Sequence, residues 1–173
     1  AAVGSARAPI DRIGVAVLRE LVEMIVTGAV PEGGVLPPEA QLSQEFGVSR
    51  TVIRETMKRL QEKGMVTVAQ GRGTHVNAMR SWNLMDPLIL STLIGHDDTL
   101  GILDELSVVR GALESAMAAA TAKRRDDDGL SRLRATLQLM RDSMEDSAAF
   151  RDADIQFHIA VMELSDNTLA ESL

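Results

Sequence analysis

Apolar positions recur at helical spacing along most of the chain, and the rhythm changes to a strand-like one only once. Between residues 11 and 27, Ile13, Val17, Leu21, Met24 and Ile25 recur three and four apart, which predicts an amphipathic helix. Gly28 stands where a left-handed cap would end it. Residues 30–37, with Gly33 and Gly34, predict a loop. A short helix over 38–45, a tight turn at Gly47-Val48 and a longer helix over 49–63 follow, with Ile53, Met57 and Leu60 facing inward and Gly64 as a stop. The rhythm then changes. Residues 65–70 and 74–76 read as two strands joined by Gly71-Arg72-Gly73. A helix, a short Gly-containing turn and a second helix make a helix-turn-helix, and the hairpin behind it makes the unit winged.

Beyond the hairpin the helical rhythm returns. Residues 78–86 read as a linker, with the single Trp, Trp82, packing at the domain junction. Asp86 is an N-cap and Pro87 a first helical residue, opening a short helix that Gly95 ends. Thr99 is placed to cap a helix reaching about residue 125, with a stripe of Leu103, Leu106, Arg110, Leu113, Met117 and Ala120. Asp126 to Asp128 cap a helix striped by Leu130, Leu133, Leu137, Met140 and Met144. Asp152 is read as the cap of a last helix carrying Asp154, Phe157 and His158. The expected fold is mainly α: an N-terminal winged helix-turn-helix followed by an all-α antiparallel bundle. The expected organisation is a flexible tail over 1–9, a winged domain over 10–77, a linker over 78–86 and a helical domain over 87–173. That last helix reads as unfinished at Leu173, which suggests a fragment.

Charge divides the two parts. The 173 residues carry 18 Lys and Arg against 25 Asp and Glu. Residues 1–80 balance to +2 and residues 81–173 to −9. The winged part is mildly basic, whereas the helical part would be repelled by a polyanion and needs another task. No cysteine is present, which excludes disulfides and cysteine metal sites. No apolar run approaches the ~20 residues of a membrane span, and no signal peptide is visible; a cytoplasmic protein without a membrane partner is expected.

Candidate chemistry sits in three places. Ser49 is a good N-cap for the second helix of the winged unit, and Arg50 and Thr51 occupy its first turn, where free amides and the helix dipole favour phosphate. Arg50, Arg54 and Lys58 are spaced four apart and share a face. Arg72 lies between two glycines at the hairpin tip, on a backbone able to approach a groove closely. In the helical part, Arg110 is a permanent charge on an apolar stripe. It sits slightly off the stripe, pairs with an internal carboxylate, or binds the carboxylate of a small acid, a geometry Arg suits. Asp154 and His158 are one turn apart, close enough to share a metal or to hydrogen-bond each other.

Three runs resemble the winged helix of GntR-type transcriptional regulators: Leu36-Pro37-Pro38-Glu39-Ala40-Gln41-Leu42, Phe46-Gly47-Val48-Ser49-Arg50-Thr51-Val52-Ile53-Arg54-Glu55 and Gly71-Arg72-Gly73-Thr74-His75-Val76. The resemblance covers residues 10–77. It implies DNA contacts from Ser49, Arg50, Thr51 and Arg54, with Gln70, Gly71, Arg72 and Gly73 in the wing. Ala40, Val52 and His75 depart from the family pattern, which commonly has Arg, Pro and an aromatic there. Residues 80–90 are similar to the start of the effector domain in FadR-like members that respond to sugar acids. Residues 106–120 and the segment Asp154-Ile155-Gln156-Phe157-His158 resemble an FCD effector domain. That likeness implies that Arg110 faces a ligand cavity. It also implies that Asp154 and His158 are part of a divalent metal site (Zn, Mn, Ni or Fe) otherwise completed by two later histidines, so the site is incomplete in this chain.

The expectation is a regulator, a repressor of a carbohydrate-acid or organic-acid operon. A homodimer would bind a palindromic double-stranded DNA operator and be released by a small carboxylate. The alternatives are a metal-dependent enzyme acting on a small carboxylic acid, and a structural DNA-binding dimer without an effector. Neither a nucleophile–base pair nor a third metal ligand is visible for the first.

Overall fold

The computed structural model describes residues 8–69, 71–98, 101–124 and 127–170. The chain forms two compact units, Ala1–Ile102 and Leu103–Leu173. Among the described residues the first unit runs α1 (Ala8–Val26), α2 (Glu39–Glu45), α3 (Arg50–Glu62), β1 (Val66–Ala69), β2 (Gly73–Val76), a 3-10 turn (Met79–Ser81) and α4 (Pro87–Gly95). The second holds most of α5 (Gly101–Arg124), α6 (Asp127–Asp142) and α7 (Ser147–Leu164). No described helix is long and apolar enough to cross a membrane.

The first unit is a winged helix-turn-helix built on one core. Leu21 and Val22 of α1, Leu42 of α2, Ile53 and Leu60 of α3 and Met65 before β1 are completely or almost completely buried together. The turn between α2 and α3 closes because Gly47 takes φ +64° and the Ser43 hydroxyl donates to the Val48 carbonyl at 2.6 Å. β1 and β2 pair antiparallel, Val66 opposite Val76 and Ala69 opposite Gly73. The free edge of β2 is partly covered. The Leu36 amide donates to the Thr74 carbonyl, and the Gly33 and Val76 amides bond across the same edge.

The segment read as a linker and the start of a second domain packs into this first core. Trp82 is buried there and donates its indole N–H to the Asn77 carbonyl at 3.0 Å. Ile89 of α4 is fully buried in the same cluster. The Asp86 carboxylate accepts from the Leu88 and Ile89 amides as the α4 N-cap and also takes an ion pair from Lys63, just past α3. Burial pushes the Asp86 carboxyl up, but the Lys63 hydrogen bond, the two amides and the Lys63 charge outweigh it and hold the group below its ordinary value. Residues 78–95 thus pack with the first compact unit, which runs to Ile102.

The second unit buries much less. Met117 is the buried residue of α5, and it clusters with Val161 of α7 and Ala170. α6 and α7 pack together, with Thr136, Ala153 and Ala160 buried. The Thr121 hydroxyl of α5 donates to the Val161 carbonyl at 3.0 Å. α7 begins earlier than its periodicity suggested. Its cap is Asp146, whose carboxylate accepts from the Ala148 and Ala149 amides, and Asp152 lies inside the helix. The caps expected at Thr99 and Asp126 lie outside the described residues.

Candidate functional sites

The first site is the start of α3 with the wing. Ser49 is extended, at φ −69° and ψ 153°, and its hydroxyl accepts from the Val52 amide at 3.3 Å. This satisfies one first-turn donor and leaves Arg50 and Thr51 exposed in that same turn. Ile53, Thr56, Met57 and Leu60 bury the opposite face. The Thr56 hydroxyl turns back to the Val52 carbonyl, so this buried polar group is satisfied within its own helix. Arg54 is exposed and donates from Nε to Glu39 Oε2 at 2.9 Å. Lys58 lies 4.0 Å from Glu62 on the same helix, a solvated pair. Arg50 and Arg72 have no ion-pair partner among the described residues.

The wing tip is a turn in which the Arg72 amide donates to the Ala69 carbonyl at 2.9 Å. Gly71 and Gly73 take φ +75° and +90°, a region closed to most side chains. Those two glycines let the turn hold Arg72 exposed at its end. His75 has Nε2 3.1 Å from the Arg72 carbonyl and so braces the tip from β2. Gln70 lies outside the described residues.

The second site is a polar chain between α5 and α7. Arg110 Nη2 donates to Glu114 Oε1 at 2.8 Å, one turn along α5. Glu114 Oε2 lies 3.4 Å from His158 Nδ1, and His158 Nε2 lies 3.5 Å from Asp154 Oδ1. Phe157 meets the His158 ring edge to face at 5.8 Å between centroids. The structure thus joins Arg110, Asp154 and His158 through Glu114, a residue the stripe analysis passed over. Its signal was its place four residues after Arg110. Arg110 sits off the buried seam and pairs with a carboxylate of its own helix. Its side chain is 58% exposed, whereas Glu114 is 23% exposed.

This chain of charges has definite chemical capacity. Glu114 engages one terminal nitrogen of Arg110, and the remaining guanidinium donors can meet a second carboxylate. His158 is bracketed by a carboxylate at each ring nitrogen, which fixes its orientation. As a metal site the set falls short. Asp154 and His158 are two donors where zinc takes three or four protein ligands, and no group of three or more ligating side chains among the described residues could hold an ion.

Comparison with known proteins supplies the context. Residues 14–76 match the family described as bacterial regulatory proteins, gntR family, and residues 105–173 match the FCD domain. The chain is 32% identical over 151 residues to the galactonate operon transcriptional repressor of Escherichia coli (strain K12), covering 87% of this chain and 66% of that protein. It is 30% identical over 150 residues to the HTH-type transcriptional regulator LutR of Bacillus subtilis (strain 168), covering 87% and 67%. The chain thus spans about two thirds of the length of these relatives. Among solved structures, a Listeria monocytogenes protein, Lar, superposes with a TM-score of 0.51 at 22% identity, over 92% of this chain and 66% of that one, a likeness of fold. The relatives are regulators and not enzymes, which sets aside the metal-dependent enzyme. With both halves matched in this order, the chain belongs to the gntR family of bacterial regulatory proteins, its winged helix followed by an FCD domain.

Proposed function

We propose that this chain is a transcriptional repressor whose winged helix reads a palindromic operator as a homodimer and whose FCD domain releases it on binding a small carboxylate. The observation that carries the DNA reading is the start of α3: a Ser49-capped helix end with an exposed Arg50 that no carboxylate neutralises among the described residues. A helix-turn-helix presents such a turn to the major groove, and Arg is the commonest reader of guanine there. Ser49, Arg50, Thr51, Arg54 and Lys58 supply the helix contacts, and Gln70, Gly71, Arg72 and Gly73 supply the wing contacts. One short helix reads few base pairs, so two copies on half-sites ~10 base pairs apart supply the needed specificity.

In the second unit Arg110 is the anchor for the acid. A ligand carboxylate competes with or joins Glu114 on the guanidinium, and His158 faces the same Glu114 carboxylate with Asp154 at its other ring nitrogen. An incoming anion that draws Arg110 away from Glu114 changes how α5 is tied to α7, a local change able to bias a two-state domain arrangement. The name of the Escherichia coli relative, a galactonate operon repressor, supports a sugar acid as the class of effector. Asp154 and His158 would be the two donors this chain offers a divalent ion, and zinc would need at least one further protein ligand beside them.

The test is release of the operator complex by a panel of sugar acids and short hydroxy acids, followed by fluorescence anisotropy. One acid should weaken binding by the wild-type chain and leave the Arg110→Ala complex, equally tight without acid, unaffected. If Arg110→Ala still responds to that acid, Arg110 is not the anchor.

A further inference from the structure

The Glu39–Arg54 pair is oddly placed for its chemistry. Glu39 opens α2, yet it reaches 15 residues along the chain to Arg54 on α3. A carboxylate on a surface meant for DNA would repel phosphates and lower affinity. Nor does the pair hold the fold together, since exposed ion pairs contribute little to stability; the side chains here are 70% and 40% exposed. What the pair does fix is geometry. Glu39 Oε2 takes the Nε proton of Arg54, and both terminal nitrogens remain without a partner among the described residues. A guanidinium held by Nε presents its two terminal nitrogens as a fork, the arrangement that meets guanine O6 and N7 together.

We propose that Glu39 is a positioning residue for Arg54: it fixes the guanidinium by Nε and thereby sets the base preference at the operator position that Arg54 reads. The inference rests on the DNA reading above. It assigns Glu39 no contact of its own with DNA. Arg54 is the cation with which Glu39 forms an ion pair among the described residues.

The experiment is a base-resolved binding selection from random duplex DNA with the full chain. It compares wild type, Arg50→Ala, Arg54→Ala, Glu39→Ala, Glu39→Gln and the Glu39→Ala/Arg54→Ala double variant, with melting temperatures measured alongside. Glu39→Ala should relax discrimination about tenfold at the base pair that Arg54→Ala also relaxes, with melting temperature unchanged. Glu39→Gln should keep the preference, because its amide oxygen still accepts from Nε, while raising affinity for all sequences. In the Arg54→Ala background, Glu39→Ala should change no preference. If Glu39→Ala keeps the wild-type preference and only tightens binding overall, the inference falls while the DNA reading stands. If Glu39→Ala shifts preference equally with and without Arg54, Glu39 reads a base itself and the inference falls. If wild type selects no sequence, the DNA reading and this inference fall together.

Discussion

Ile89→Ala tests where the fourth helix belongs. Ile89 is fully buried in the cluster that includes Leu21 and Val22 of α1. Truncation to Ala removes three carbons, worth ~0.8 kcal/mol each by transfer. The cavity they leave adds to this, for a total of about 3 kcal/mol. That corresponds to roughly a hundredfold gain in the open population of the first unit. Amide hydrogen exchange reads it locally. Protection at Leu21 and Val22 in α1 should fall by about that factor, and protection in α6 and α7 should stay as in wild type. If the loss appears instead in α6 and α7, or if α1 protection changes less than about threefold, α4 is not part of the first core and the unit boundary after Ile102 is misplaced.

Three further outcomes follow from the same unit and from α5. Asp86→Asn should destabilise the first unit at neutral pH. Because the Asp86 carboxyl lies below its ordinary value in the fold, its contribution is full well above the ordinary carboxylate value and shrinks as pH falls toward the lowered one; urea melts at pH 7 and pH 3 should therefore show a smaller gap between variant and wild type at the lower pH. Gly64→Ala should cost clearly more than Gly28→Ala in thermal melts. Both glycines have positive φ, but a Cβ at Gly64 would lie 2.1 Å from the Ser81 carbonyl oxygen, and one at Gly28 would meet open space. Glu114→Gln should weaken the hold on Arg110 and His158 with little effect on stability, since Arg110 is largely exposed; the concentration of acid needed for half-release of DNA should shift.

The elements that depend on local chemistry were legible in the sequence. The Ser49 cap, the Gly47 turn and the Gly71-Arg72-Gly73 tip are written in residues adjacent to one another, and the structure has all three. The Asp86-Pro87 helix start was equally plain. Which body that helix packs against was not, because the apolar residues of α4 suit either core and only tertiary contact with α1 decides. The start of α7 was misplaced for a related reason. Asp146 and Asp152 are both followed by helix-forming residues, and the sequence does not say which carboxylate finds the free amides. Arg110 followed the stripe by spacing, but α5 buries only Met117 among its described residues, so the stripe is shallow where Arg110 sits. The Glu39–Arg54 pair spans two helices, and no periodicity within either one reports it.

The most direct test of the account is a binding selection from random duplex DNA with the full chain at moderate salt, with Arg50→Ala in parallel. The account predicts a single enriched palindrome with half-site centres ~10 base pairs apart. It also predicts that Arg50→Ala binds that sequence more weakly by ~1–3 kcal/mol with its melting temperature unchanged. Binding that falls with salt but enriches no sequence, or an enriched site that Arg50→Ala binds as tightly as wild type, would contradict it.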